Sequence, residues 1–195
     1  MYLTSSSLWA YHPGMTIMTS RFLRRSAVLV IGTLMSVPVS AQEVTKKDVA
    51  GISTFAQIET TIACGGSTTL EAIPAIKNMG FKSVINVRLA SEEGALVEEE
   101  GAVVRTAGMN YVHLPFNMRS PDSMLIDNFI EAVSAPANTP AYVHCAAGGR
   151  AAALWMIKRV KADGWAEARA LEEANALGLN DRLRPFALDY LRTHP

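Results

Sequence analysis

The sequence has 195 residues, 49% hydrophobic and 18% charged, with a formal net charge of zero. That composition suits one globular domain with a full core. Residues 1–41 hold three basic and no acidic side chains, leaving 15 basic against 18 acidic in the remainder, a net charge of −3. This balance argues against the clustered basic surface that nucleic-acid or anionic-membrane binding requires, so no nucleic-acid partner is expected.

In chain order, residues 18–41 come first. They join a basic start (Arg21, Arg24, Arg25), an apolar run from Ala27 and a small-residue exit, Val39-Ser40-Ala41. This is the layout of a secretory signal peptide cleaved after Ala41. The run falls short of the ~20 residues that span a bilayer, so no stable membrane insertion is expected after cleavage. The expected location is exported and periplasmic. Residues 1–17 lack this logic, and Met15 or Met18 is expected to be the true start.

Residues 42–51 read as a polar lead-in, and 52–195 as one domain. FAQIETTIACGG begins with a strand and ends in a turn. STTLEAIPAIKNMG reads as a helix capped by Ser67 or Thr68, with Leu70, Ile73 and Ile76 on its apolar face and Gly80 as its stop. FKSVINVRL is a β-branched strand, and SEEGALVEEEGAVVRTAG a helix with Ser91 near its start and Gly108 just past its end. NYVHLPF is the next strand, and Ser120, Pro121 and Asp122 open a helix running to about Val133. TPAYVHC is an almost wholly apolar strand, of the kind buried on both faces of a parallel sheet. A helix from Arg150 to Lys161 and helical segments over 164–178 and 180–194 complete the chain. Alternating strands and helices predict an α/β fold, with a mostly parallel central sheet flanked by helices in a single domain.

In such a sheet ligands sit at the carboxyl ends of strands, facing helix N-termini. Cys145 occupies that place: it ends a buried strand, opens a tight loop and precedes a helix. Free N–H groups and the helix dipole there attract an anion and favour a nucleophilic thiolate. Gly148 and Gly149 let the backbone turn inward, and Arg150 brings a planar fork of donors. Nucleophile, backbone cradle and cation thus fall within His144-Cys145-x4-Arg150.

The residues VHCAAGGR, with the strands INVR at 85–88 and YVHLPF at 111–116, resemble the protein tyrosine phosphatase superfamily. Within it the chain is similar to a bacterial dual-specificity-like branch, named after the phosphatase-like domain of beta-lactamase-hydrolase-like proteins. The resemblance covers roughly residues 52–165. It implies a cysteine-phosphatase-like fold and a hydrolase of phosphomonoesters. Cys145 would form a phosphocysteine, Arg150 and the backbone of Ala146, Ala147, Gly148 and Gly149 would hold the phosphoryl oxygens, and His144 would sit behind the cysteine.

Three departures accompany the resemblance. Cys145 and Arg150 enclose four residues, one fewer than in most of the superfamily and the spacing of rhodanese-like sulfurtransferases. Ala151 stands where phosphatases usually carry a serine or threonine. Asn117, Met118 and Arg119 occupy the stretch where a general acid is expected, and the nearest carboxylate, Asp122, is placed to cap a helix. Two alternatives therefore stand beside the phosphatase: a sulfurtransferase working through a Cys145 persulfide, and an inactive anion- or phosphopeptide-binding module. The partner is a phosphorylated small molecule or protein, or a sulfur donor.

Of the remaining residues, Arg88 either binds an anionic substrate or pairs with Glu92 or Glu93. Glu98-Glu99-Glu100 reads as a solvated helix face. His113 has no partner visible in sequence. No metal site is indicated, and no cofactor is called for. Cys64 is the one other cysteine. It is a candidate redox partner of Cys145, through a structural or a reversible disulfide, or makes no contact with it.

Overall fold

The computed structural model describes residues 43–195, and the signal-peptide and start-site expectations lie outside them. The strands are β1 (Val44–Lys46), β2 (Phe55–Ile58), β3 (Ile62–Gly65), β4 (Ser83–Asn86), β5 (Asn110–His113) and β6 (Ala141–His144). They form one sheet in the order β1-β2-β3-β6-β4-β5. β3, β6, β4 and β5 run parallel, while β1 and β2 extend the sheet antiparallel to β3. The sheet is mostly parallel, as the alternation of elements implies.

The polar lead-in is therefore not a loose segment. Val44 to Lys46 pair with Ile58 to Ala56, satisfying the backbone of an edge that side-chain polarity alone marks as loop. The stretch FAQIETTIACGG is a hairpin and not one strand: Thr61 N–H bonds to Ile58 O at 3.0 Å, and Glu59 takes a positive φ of 37° in the turn.

The helices are α1 (Ile73–Asn78), α2 (Val97–Thr106), α3 (Ser123–Ser134), α4 (Gly149–Lys161), α5 (Glu167–Leu177) and α6 (Arg184–Thr193). A 3-10 turn over Leu70–Ala72 precedes α1, and neither Ser67 nor Thr68 caps it. α2 starts at Val97, leaving residues 91–96 as an irregular loop whose carboxylate is engaged elsewhere. In α3, Asp122 is the N-cap and accepts from Met124 N–H at 2.9 Å.

Two apolar cores sandwich the sheet. One joins Ile73, Ile76 and Val104 to Ala63, Val84 and Tyr142. The larger joins Cys64, Ile85, Val143 and Cys145 to α3, α4, α5 and α6. Because strand side chains alternate, Tyr142 and His144 face the α1–α2 side, while Val143 and Cys145 face α4. From Ala151 to Ile157 no residue of α4 is more than 1% exposed, which explains its run of small side chains: the helix lies flat under the sheet. Glu173 on α5 anchors it, accepting from Trp155 Nε1 and Arg159 Nε, each at 2.7 Å. Among the described residues no helix is long and apolar enough to cross a membrane.

Candidate active site

β6 delivers Cys145 to the carboxyl edge of the parallel strands, where Cys145 N–H bonds to Gly65 O at 3.1 Å. The chain then turns through Ala146, Ala147 and Gly148 into α4. Gly148 holds φ at +83°, a left-handed conformation that side chains resist, and a Cβ there would lie 3.1 Å from Thr54 Oγ1. Ala152 N–H is the donor to Gly148 O, so the amides of Gly149, Arg150 and Ala151 are the unpaired first turn of α4. Ser67 secures the loop from outside, since its N–H and its hydroxyl both donate to Ala146 O, at 3.0 and 2.9 Å.

Cys145, 2% exposed, lies at the base of a cavity of about 510 Å³. Ala146, Ala147, Gly149 and Arg150 form its floor. Asn117, Met118 and Arg119 approach from the β5–α3 loop, and Asn180, Arg182 and Leu183 from the turn between α5 and α6. Among the described residues no carboxylate lines it.

Arg150 is aimed by Glu92. Nη1 bonds to Glu92 Oε1 at 2.6 Å and Nη2 to Oε2 at 2.7 Å, a bidentate fork. Nη1 also reaches the carbonyls of Val87 and Phe116, each at 3.3 Å. Of the five guanidinium donors this leaves Nε–H and one Nη2–H, an adjacent pair suited to two oxygens of one anion. Burial works against the charge on Arg150, but the Glu92 carboxylate and Cys145 outweigh it and hold its pKa above the ordinary value. Burial likewise acts to raise the Glu92 pKa, yet Arg150, the Leu89 N–H and Arg88 hold it below the usual carboxylate range.

Other expected residues fall elsewhere. Arg88 does not line the Cys145 cavity; its guanidinium reaches Glu92 and the carbonyls of Gly94 and Glu93. It thus braces the loop that carries Glu92. Asp122 caps α3 and lies outside the cavity lining. His113 Nε2 is 2.8 Å from Arg88 O, a partner that sequence did not show.

His144 lies behind Cys145 but on the opposite face of the sheet, stacked on Tyr142 and with Nε2 2.8 Å from Glu100 Oε1. The other carboxylate oxygen, Oε2, accepts from Asn86 Nδ2 and from Tyr111 O–H. Burial pushes the Glu100 pKa up, but His144, Tyr111 and Asn86 hold it below its ordinary value. Glu100, 4% exposed, is thus no part of a solvated face. Val97, Glu100, Gly101 and Val104 share the inward stripe of α2, a periodicity that the glutamate run obscures.

Cys64 and Cys145 are both free thiols on the α4 face of adjacent strands, with Cys64 opposite Val143 in register. Burial, then the nearby Cys145, pushes the Cys64 thiol well above its ordinary pKa.

The fold, with a thiol at a strand end and an anion cradle at a helix N-terminus, suits the tyrosine phosphatase superfamily. The chain belongs to the family described as DSP-PTPase phosphatase fused to NAD+ kinase, whose model matches residues 37–181. It is a dual-specificity phosphatase-like hydrolase of the tyrosine phosphatase superfamily. No curated protein matches the sequence. Among solved structures, a putative phosphatase (DUF442) from Shewanella putrefaciens CN-32 is 24% identical, with a TM-score of 0.61, covering 73% of this chain and 89% of that one. TpbA of P. aeruginosa, in a cysteine-to-serine form with phosphotyrosine, is 18% identical, with a TM-score of 0.60 and coverage of 79% and 91%. The core catalytic domain of the PP-IP phosphatase SIW14 from S. cerevisiae, with citrate, is 20% identical, with a TM-score of 0.56 and coverage of 70% and 84%. At these identities the likeness is one of fold.

Proposed function

We propose that the protein hydrolyses phosphomonoesters through a phosphocysteine on Cys145. The observation that carries this reading is the pairing of Cys145, at the base of the cavity, with an Arg150 that Glu92 aims and that interacts with Cys145 itself. The Cys145 thiolate attacks phosphorus opposite the ester oxygen. The S–P bond forms as the P–O bond breaks, while the cradle amides and Arg150 hold the equatorial oxygens. Water then attacks phosphorus, releasing orthophosphate and returning the thiolate. With no carboxylate among the described residues lining the cavity to protonate the departing oxygen, acidic leaving groups such as aryl oxygens suit the site best. The phosphotyrosine held by TpbA supports an aryl phosphate as a substrate.

The test gives the mature protein and its Cys145→Ser variant an aryl phosphate, and separately thiosulfate with cyanide. Turnover of the aryl phosphate that disappears in the variant is expected. Turnover that persists in the variant removes the reading, and a stable gain of one sulfur atom on Cys145 replaces it with sulfur transfer.

We also infer export with cleavage after Ala41, supported by the basic start, apolar run and small-residue exit of residues 18–41. The isolated protein should then begin at Gln42 by N-terminal sequencing, and an intact leader on exported material rules this out.

A further inference from the structure

Resting on the phosphatase reading, we propose that Arg119 and Arg182 form a second anion subsite, and that the substrate is a small molecule carrying another phosphate group beside the one removed. Both arginines line the Cys145 cavity, one from the β5–α3 loop and one from the turn between α5 and α6. Each arginine stands two residues beyond an asparagine whose side chain closes its turn. Asn117 Oδ1 accepts from Arg119 N–H at 3.0 Å, and Asn180 Oδ1 accepts from Leu183 N–H at 3.2 Å. The two turns therefore order the backbone that carries these arginines, and both side chains are exposed to solvent beside the cavity.

Among the described residues neither guanidinium has a partner. The carboxylates nearest in sequence are engaged elsewhere: Asp122 caps α3, and Asp181 pairs with Arg184 at 2.9 Å. Glu92, which neutralises Arg150, does not line the cavity. Two unpaired cations lining a cavity that, among the described residues, holds no carboxylate exceed what one phosphoryl group needs, because Arg150 and the cradle already serve it. Arginine pairs recognise a further phosphate by bidentate, charge-assisted bonds. A volume of about 510 Å³ falls in the range of small-molecule sites.

The test is calorimetric titration of the Cys145→Ser protein with two matched pairs: orthophosphate against pyrophosphate, and fructose 6-phosphate against fructose 1,6-bisphosphate. In at least one pair the doubly phosphorylated probe should bind about tenfold more tightly. Adding Arg119→Gln and Arg182→Gln together should bring that ratio close to one. Retained binding of the singly phosphorylated partner reports that the variant is folded. No preference in either pair, or a preference that survives the double substitution, overturns the subsite. So does an arginine-dependent gain seen only with a phosphotyrosine peptide flanked by glutamates. Failure of the parent phosphatase reading is read separately, as absence of Cys145-dependent aryl phosphate turnover in the unsubstituted protein.

Discussion

At the scale of single residues the site depends on what Glu92 does to Arg150. A glutamine there keeps one acceptor but turns an amide N–H toward the guanidinium, so the fork loses its aim while both residues still fit. Because positioning errors of about 1 Å cost on the order of 100-fold, Glu92→Gln is expected to lower kcat/KM for an aryl phosphate by about 10–100-fold. Glu92→Asp should recover part of that loss, and equal activity of all three proteins would refute the aiming role. The two cysteines should also separate by reactivity. Burial holds Cys64 as a thiol, whereas Cys145 opens on the cavity. Brief iodoacetamide treatment of the native protein near pH 8 should add one label, mapped to Cys145 by mass spectrometry, and two after unfolding. Labelling of Cys64 in the native protein would contradict its placement.

At the scale of elements the strand–loop–helix unit of β6 and α4 carries the chemistry. Its backbone is set by Gly148, since an alanine at φ +83° is strained and brings its Cβ against Thr54 Oγ1. A left-handed non-glycine residue costs about 1–2 kcal/mol, which at this chain length lowers Tm by roughly 2–8 °C. Gly148→Ala should show that shift by thermal melting, together with weaker orthophosphate binding. An unchanged Tm would mean that the loop relaxes freely.

This unit was the most legible part of the sequence, because an apolar strand, a cysteine, two glycines and an apolar helix are contiguous in VHCAAGGRAAALW. Contributions from distant segments were not. Glu92 was visible only as an i+4 partner for Arg88, since nothing local says that its loop folds back onto Arg150. Arg182 enters the cavity from a turn 37 residues beyond Cys145 in the sequence. Burial of Glu100 was hidden because three consecutive glutamates look solvated until the helix start fixes which one points inward. The edge strand β1 escaped notice for a related reason: its pairing is made by backbone, and its side chains remain largely exposed.

For the whole molecule, partly and fully buried carboxylates link folding to pH. Glu92 and Glu100 both ionise below their ordinary range in the folded chain. The unfolded chain, with glutamates near ~4.3, therefore binds protons first as pH falls. Their contribution to stability is complete above that value and is lost as pH drops through their folded range. The urea midpoint should stay nearly level from neutral pH to about 5 and decline below about 4. Glu100→Gln should start lower at neutral pH, and its own decline should be shallower. An acid profile identical to that of the parent would show that the Glu100–His144 pair makes no net contribution.

The two hydrogen bonds from Ser67 to Ala146 O fix an electrical sign. A trans peptide sets its carbonyl and the following N–H in opposite directions. Tying the Ala146 oxygen outward therefore turns the Ala147 amide hydrogen toward the cavity. Were that one plane to rotate, the cavity floor would present an oxygen to the phosphate, and attraction would become repulsion without any side chain moving. Ser67, which touches no substrate, thus decides the polarity of the cradle. Ser67→Ala removes one of its two bonds, and orthophosphate affinity measured by calorimetry should fall several-fold while the fold persists.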